Sequence, residues 1–298
     1  MSPSTSQPPQ APLPDLAVAL TTMNSLRTID ATLDSVRGLA ATIVVIDSGS
    51  TDGTIERCTA AGAVVEHHPW SGYVAQTQHA IDRAASSLAA ADGGALQRGW
   101  ILLLDSDEAL DEPLQRSVRA ALATPTGHAG FALNRRLVLA GRVLRHAFQP
   151  EFRLRLFRPH VGRVTGTPPH YFISVQGSVG RLEGSLLHDS WADVDDMLRR
   201  QVRYASISAD DRARGATTAT ADSSSAGIRG GRLIDVLIRP GFAFVKQFVV
   251  RSAWRDGWRG LVASGGAAAA TLMKHVAIAE RRGLLRERDV ERRPPQDS

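Results

Sequence analysis

Three short apolar runs, each followed at once by a polar or acidic residue, constrain this chain most. They are Leu16–Leu20 (LAVAL), Ile43–Ile46 (IVVI) and Trp100–Leu104 (WILLL). None shows polar alternation, and each is short for a helix. They therefore read as strands buried on both faces. Helical patterns fall between them. Leu26, Ile29, Leu33 and Val36 recur at helical spacing, and a helix is expected from Gly53 to about Ala61, then a short strand at Ala63–Val65. Tyr73–Ala91 reads as a long alanine-rich helix, and Asp111–Ala123 as another, with Pro113 acceptable in its first turn. Strand and helix in alternation predict an α/β fold, a mostly parallel sheet flanked by helices. In such sheets ligands bind beyond the carboxyl ends of the strands, which is where Asn24, Asp47 and Asp105 fall.

The rest of the chain changes character. From Phe131 to Leu187 the pattern is one of short strands and turns, and helix returns from about Asp193 to Arg214. Residues 15–214 are expected to form the catalytic domain. Gly215–Gly231, rich in Ala, Thr, Ser and Gly, reads as a flexible linker. Residues 232–285 read as a C-terminal amphipathic helical extension, with segments at about Leu233–Ser252 and Leu261–Arg282. The ends, 1–14 and 286–298, are polar and proline-rich and are expected to be disordered tails. The first of them lacks the basic start and apolar run of a signal peptide. No uncharged apolar run reaches the length of a bilayer-spanning helix, so a cytoplasmic protein is expected.

Composition narrows the chemistry only slightly. The formal net charge is +5, and apart from Lys246 and Lys274 the cations are arginines. That excess suits an anionic partner such as phosphate or lipid headgroups. Cys58 is the sole cysteine, which excludes an intrachain disulfide and a cysteine cluster for zinc.

The turn Asp105-Ser106-Asp107-Glu108 carries the clearest chemistry. Carboxylates at i and i+2, just past a buried strand, can aim at one point and hold a divalent cation alongside phosphates and water. A solvated acidic turn capping the next helix is the plain alternative. Asp47-Ser48-Gly49-Ser50-Thr51-Asp52-Gly53-Thr54 follows another buried strand and opens a helix. Gly49 permits a tight turn, and Asp47 can accept hydrogen bonds from a base or ribose. An ordinary strand-to-helix loop fits equally, and the G-x-G-x-x-G pattern of dinucleotide sites is missing. Arg153 and Arg155 alternate with leucines. They would either clamp an acceptor phosphate or form a solvated strand face.

Several segments in order resemble a known family. TTMNSLRTI, DSGSTDGT, WSGYVAQTQHAIDRA, LLLDSDEAL and the run ending PEFRLRLFR are similar to motifs of family-two glycosyltransferases with the GT-A fold, particularly the lipopolysaccharide core β-glucosyltransferases. The resemblance spans most of residues 16–282. It implies a GT-A-type sheet and an inverting transfer of a sugar, glucose by preference, from a nucleotide-diphosphate sugar. A UDP-sugar is favoured as donor, a lipid-linked or lipopolysaccharide-core saccharide as acceptor, and no nucleic acid partner is implied. By the same resemblance Thr22, Asn24, Asp47, Gly49, Asp52, Gln76 and Asp105 would border the donor, and Asp107 would hold Mn²⁺ or Mg²⁺. The enzyme would lie on the inner face of the cytoplasmic membrane, docked through its C-terminal segment. Two positions depart from the pattern. Relatives carry a carboxylate directly after a histidine where this chain reads Pro169-His170-Tyr171, leaving His170 or Glu151 as the candidate base. Relatives also carry a cation where this chain reads Gln76-Thr77-Gln78-His79. The departures also suit a non-catalytic or altered-specificity nucleotide-sugar-binding protein on the same scaffold.

Overall fold

The computed structural model describes residues 11–91, 94, 98–167, 170–213 and 233–281. In chain order the strands are β1 (Leu13–Thr22), β2 (Ala40–Asp47), β3 (Val64–His67), β4 (Trp100–Asp105), β5 (Glu108–Leu110), β6 (His128–Leu139), β7 (Arg142–Val143), β8 (Phe152–Phe157), β9 (Arg163–Thr167), β10 (His170–Ser174), β11 (Ser178–Arg181) and β12 (Leu186–His188). The helices are α1 (Ile29–Val36), α2 (Thr54–Ala60), α3 (Tyr73–Ala91), α4 (Glu112–Leu122), α5 (Val194–Ala213), α6 (Leu233–Val245) and α7 (Trp258–Arg281).

The expected strands lie side by side. The main sheet runs β3-β2-β1-β4-β8-β6-β12-β5, and its first four strands are parallel. β8 then pairs antiparallel with both β4 and β6. Leu16 to Leu20 are wholly buried, because helices cover both faces of β1. Leu16, Val18 and Leu20 face α1, α2 and α4 through Ile29, Leu33, Cys58, Leu114 and Val118. Ala17 and Ala19 face the other way, toward Ala80, Ile81, Ala84 and Leu88 of α3. Alanine on both the strand and the helix lets that long helix approach closely. The β9–β10 hairpin completes this second face through Val164, Tyr171 and Ile173.

Some boundaries move. β1 begins at Leu13, inside the expected tail, because the Leu13 amide donates to the Leu39 carbonyl at 2.9 Å and Leu13 pairs with Ala40. Residues 1–10, the linker at 215–231 and the tail at 286–298 lie outside the described residues. α4 starts as its sequence predicts, with the Asp111 carboxylate accepting from the Leu114 amide at 2.9 Å and proline in the first turn. Helix α5, at the end of the expected catalytic domain, packs on α7 of the C-terminal extension. That extension is also fixed to the sheet. Ala253 and Ala263 join Leu137, Leu139 and Leu144 in a third apolar cluster.

The membrane expectation needs one correction. The helix Trp258–Glu280 has 23 residues and a mean hydropathy of 1.3, long and apolar enough to cross a membrane by length and composition alone. The reading for uncharged runs passed over it because Arg259 and Lys274 interrupt the run. The helix packs against α5 and α6.

Candidate active site

A cavity of about 980 Å³ opens beyond the carboxyl ends of β1 and β4. Its floor comes from the residues after these strands, among them Thr22, Asn24, Ser25, Asp105, Ser106 and Asp107. Tyr73, Gln76 and Thr77 of α3 form one wall, and Arg200, Gln201, Arg203 and Tyr204 of α5 another. Of the strand ends singled out in the sequence, those of β1 and β4 thus line the cavity directly.

The loop after β2 behaves differently. Asp47 is fully buried, and its Oδ1 accepts from the Gly49 and Ser50 amides, both at 2.8 Å. Its other oxygen accepts from the Ser50 hydroxyl, so the carboxylate is spent folding its own loop. Ser48, not Asp47, faces the cavity. Gly49 has φ of +108°, a left-handed conformation that suits glycine at this turn. Asp52 braces the same loop, accepting from the Leu26 amide at 3.0 Å and the Thr54 hydroxyl at 2.5 Å. Asn24 joins the two loops, since its Oδ1 accepts from the Thr51 amide at 2.9 Å. Gln76 is buried and holds Ser48 and His68 in place. Thr22 is another matter. Its Oγ1 is buried and without a partner, in a residue that lines the cavity.

Asp105 and Asp107 have unlike surroundings. Asp105 receives Arg155 Nη2 at 2.6 Å and the Tyr171 hydroxyl at 2.6 Å. Arg155 also donates to Glu108 at 2.8 Å and to the Tyr171 oxygen at 3.1 Å. Burial opposes the Asp105 charge, yet the Arg155 guanidinium holds its carboxyl below the usual range. Burial pushes the Tyr171 phenol up, so it serves as a hydrogen-bond donor. Arg155 is 5% exposed and committed to these carboxylates, which corrects its expected role as an acceptor-phosphate clamp. Arg153 lines the cavity but pairs with Glu151 at 2.8 Å.

Asp107 instead approaches His188, with Oδ1 and Nε2 3.5 Å apart. The Asp189 amide donates to the Asp107 carbonyl at 2.9 Å, tying the end of β12 to this turn. Burial works against the Asp107 charge, but His188, Arg135 and Arg200 bring its carboxyl down to about 2. The sequence reading gives His188, in LLHDSW, a structural or acceptor-side role and does not bring it to Asp107. The available signal was its place, because Leu186-Leu187-His188 is one more apolar strand ending on a polar residue.

The two candidate bases fare differently. Glu151 is outside the cavity lining, and Oε1 accepts from Arg135 at 2.6 Å and Arg153 at 2.8 Å. Burial opposes its charge, and the two arginines hold its carboxyl low, which makes it a weak base. His170 is described through its backbone alone, as the first residue of β10, opposite Thr167.

The sequence profile of "Glycosyl transferase family 2" matches residues 17–173, which carry the second half of β1, all of β2 to β4 and the whole Asp105–Asp107 turn. The chain belongs to this family. Its known relatives include the lipopolysaccharide core biosynthesis glycosyltransferase LpsC of Rhizobium meliloti, 26% identical over 82% of this chain and 84% of that protein. An uncharacterized glycosyltransferase of Rickettsia bellii is 28% identical over 49% of this chain and 43% of its own. Among solved structures, glucosyl-3-phosphoglycerate synthase of Mycobacterium tuberculosis, in complex with Mn²⁺, UDP and glucosyl-3-phosphoglycerate, is 28% identical. The match covers 41% of this chain and 44% of that one, with a TM-score of 0.28. Family membership makes the chain a glycosyltransferase of α/β architecture, and the resemblance to lipopolysaccharide core enzymes agrees with the LpsC relative.

Proposed function

We propose that this chain transfers a sugar, glucose by preference, from a UDP-sugar to a lipid-linked or lipopolysaccharide-core saccharide, with inversion at the anomeric carbon. One observation carries the reading. A single cavity gathers the Asp105–Asp107 turn, His188 and the unpartnered Thr22 hydroxyl. The match to LpsC along most of both chains supports the acceptor class.

The donor set suits a divalent cation of the Mn²⁺ or Mg²⁺ kind. Asp107 and His188 offer one hard oxygen and one imidazole, and no third His, Cys, Asp or Glu joins them among the described residues. Two protein ligands suit an ion whose other positions are taken by phosphates and water. When bound, the ion neutralises charge on the departing diphosphate. Asp105, held by Arg155 and Tyr171, is left to position the turn and to meet the ribose.

In the reaction the acceptor hydroxyl oxygen bonds to the anomeric carbon. The bond from that carbon to the diphosphate breaks, and its electron pair leaves with UDP. The hydroxyl proton passes to a base, for which His170, next to the cavity-lining Tyr171, is the candidate. The exposed apolar face of α6 and its basic neighbours support a docking of the enzyme on the inner face of the cytoplasmic membrane, where a lipid-linked acceptor would be presented.

The test is transfer itself. Full-length protein with Mn²⁺ and labelled UDP-glucose should label lipopolysaccharide truncated in its core and release UDP. Binding of UDP without transfer or hydrolysis of any nucleotide sugar would leave only the non-catalytic binding protein.

A further inference from the structure

Helix α5 brings a second set of charges into the donor cavity. Arg200 and Arg203, one turn apart, both line it, together with Gln201 and Tyr204. Arg200 is held by its Nε alone, which donates to the two Asp196 oxygens at 3.0 and 3.1 Å. Asp196 is itself fixed, accepting from the Ala192 amide at 3.1 Å while its own amide donates to Asp193 at 2.8 Å. Among the described residues, neither terminal nitrogen of Arg200 makes a hydrogen bond. Its guanidinium therefore presents a pre-oriented, unspent fork.

The other cavity arginines are more fully committed. Arg155 serves Asp105, Glu108 and Tyr171. Arg135 serves Glu151 and approaches Glu108 at 3.6 Å. Arg27 uses both terminal nitrogens on Asp189. Arg153 gives Nε and one terminal nitrogen to Glu151. The α3 wall, with Tyr73, Gln76 and Thr77, adds no cation. Arg200 also lies within electrostatic reach of Asp107, whose carboxyl it helps to hold low after His188 and Arg135.

We propose that Arg200, aimed by Asp196 and assisted by Arg203, grips the diphosphate of the donor beside Asp107. The inference rests on the nucleotide-sugar reading above and names the cation that holds its leaving group. A guanidinium with both terminal nitrogens free matches two phosphate oxygens, and such charge-assisted pairs are stronger than neutral ones. In the same position it opposes the negative charge that grows on the diphosphate as the glycosidic bond breaks. Because α5 rests on α7, the C-terminal extension becomes part of the donor site and not an appendage to it.

Calorimetric titration of the full-length protein at fixed Mn²⁺ tests this with UDP, UMP and uridine. R200A should weaken UDP roughly ten- to a hundredfold, UMP less, and uridine not at all. R200K should recover part of the loss. The double variant R200A/R203A removes the chance that one arginine stands in for the other. Equal UDP affinity in the double variant and the parent overturns the proposal, and so does an equal loss for uridine, which would mark a merely structural role. A parent chain that binds no nucleoside diphosphate overturns the donor reading, and this proposal with it.

Discussion

Asp105 and Asp107 are two residues apart in sequence and chemically far apart in the fold. Asp105 is paired by Arg155 and Tyr171, and Asp107 has His188 at 3.5 Å. The division of labour follows from partners 50 to 81 residues distant, as the positions of Arg155 and His188 show. Asp107→Ala should therefore abolish the Mn²⁺-dependent part of UDP affinity while leaving the melting temperature close to the parent's. Calorimetry with and without EDTA checks this, and unchanged Mn²⁺-dependent affinity would remove Asp107 from the metal site. The D-x-D pair was legible because an acidic turn beyond WILLL is a local pattern. The fate of Arg155 was not, because alternation in FRLRLF says which residues share a face but not what covers that face. Asp47 shows the same limit. Its place at a strand end was readable, whereas the closure of its carboxylate onto Gly49 and Ser50 depends on loop geometry.

At the level of elements, the strands and long helices were the most readable, because continuous apolar runs and a 3.6-residue period are local signals. What the sequence left open was how the C-terminal segments attach. The attachment turns on Asp256, whose side chain is 6% exposed. It accepts from the backbone amides of Arg145 at 3.0 Å, His146 at 2.9 Å and Ala147 at 2.9 Å, and approaches the His146 ring at 3.1 Å. Burial alone would raise its pKa, but these donors bring it below the ordinary carboxylate value. A carboxyl depressed in the folded state contributes stability above its unfolded pKa, near 4, and loses it as pH falls through the folded value. Asp256→Asn should cost about 2 kcal/mol at pH 7, since hydrogen bonds to a charged acceptor are exchanged for poorer ones. The cost should shrink as the pH falls below about 4, where the carboxyl of the unfolded chain becomes neutral, and vanish once the pH passes the lower folded value. Denaturant titrations at pH 7 and pH 3 measure it, and an equal cost at both would show that the Asp256 charge is not what holds the loop.

For the whole molecule, the question is what the apolar outer face of the C-terminal extension meets. Ile234, Leu237, Ile238, Phe242, Val245 and Val249 follow helical spacing, and all are exposed, Leu237 at 76% and Phe242 at 68%. A helix lying on a globular domain ordinarily turns such a stripe inward. Here α6 packs on α7 and turns the stripe outward. Trp254 and Trp258, also exposed, follow it, and Lys246, Arg251 and Arg255 lie among or just beyond these residues. Apolar side chains bordered by tryptophan and basic residues suit the headgroup region of an anionic bilayer. Each basic residue near such a surface contributes on the order of 1 kcal/mol, screened by salt. The same extension supports α5, so the surface that would meet lipid and the wall that carries Arg200 are joined through α7. Flotation with vesicles decides the matter. Full-length protein should rise with vesicles containing phosphatidylglycerol, rise less at high salt, and stay down with phosphatidylcholine alone. The double variant L237E/F242E changes only exposed positions and keeps the support of α5, so it should keep UDP affinity and lose flotation. A parent protein that stays at the bottom with anionic vesicles, or a variant that floats as well as the parent, would assign this face to another partner, a second copy of the chain being the first to examine by sedimentation.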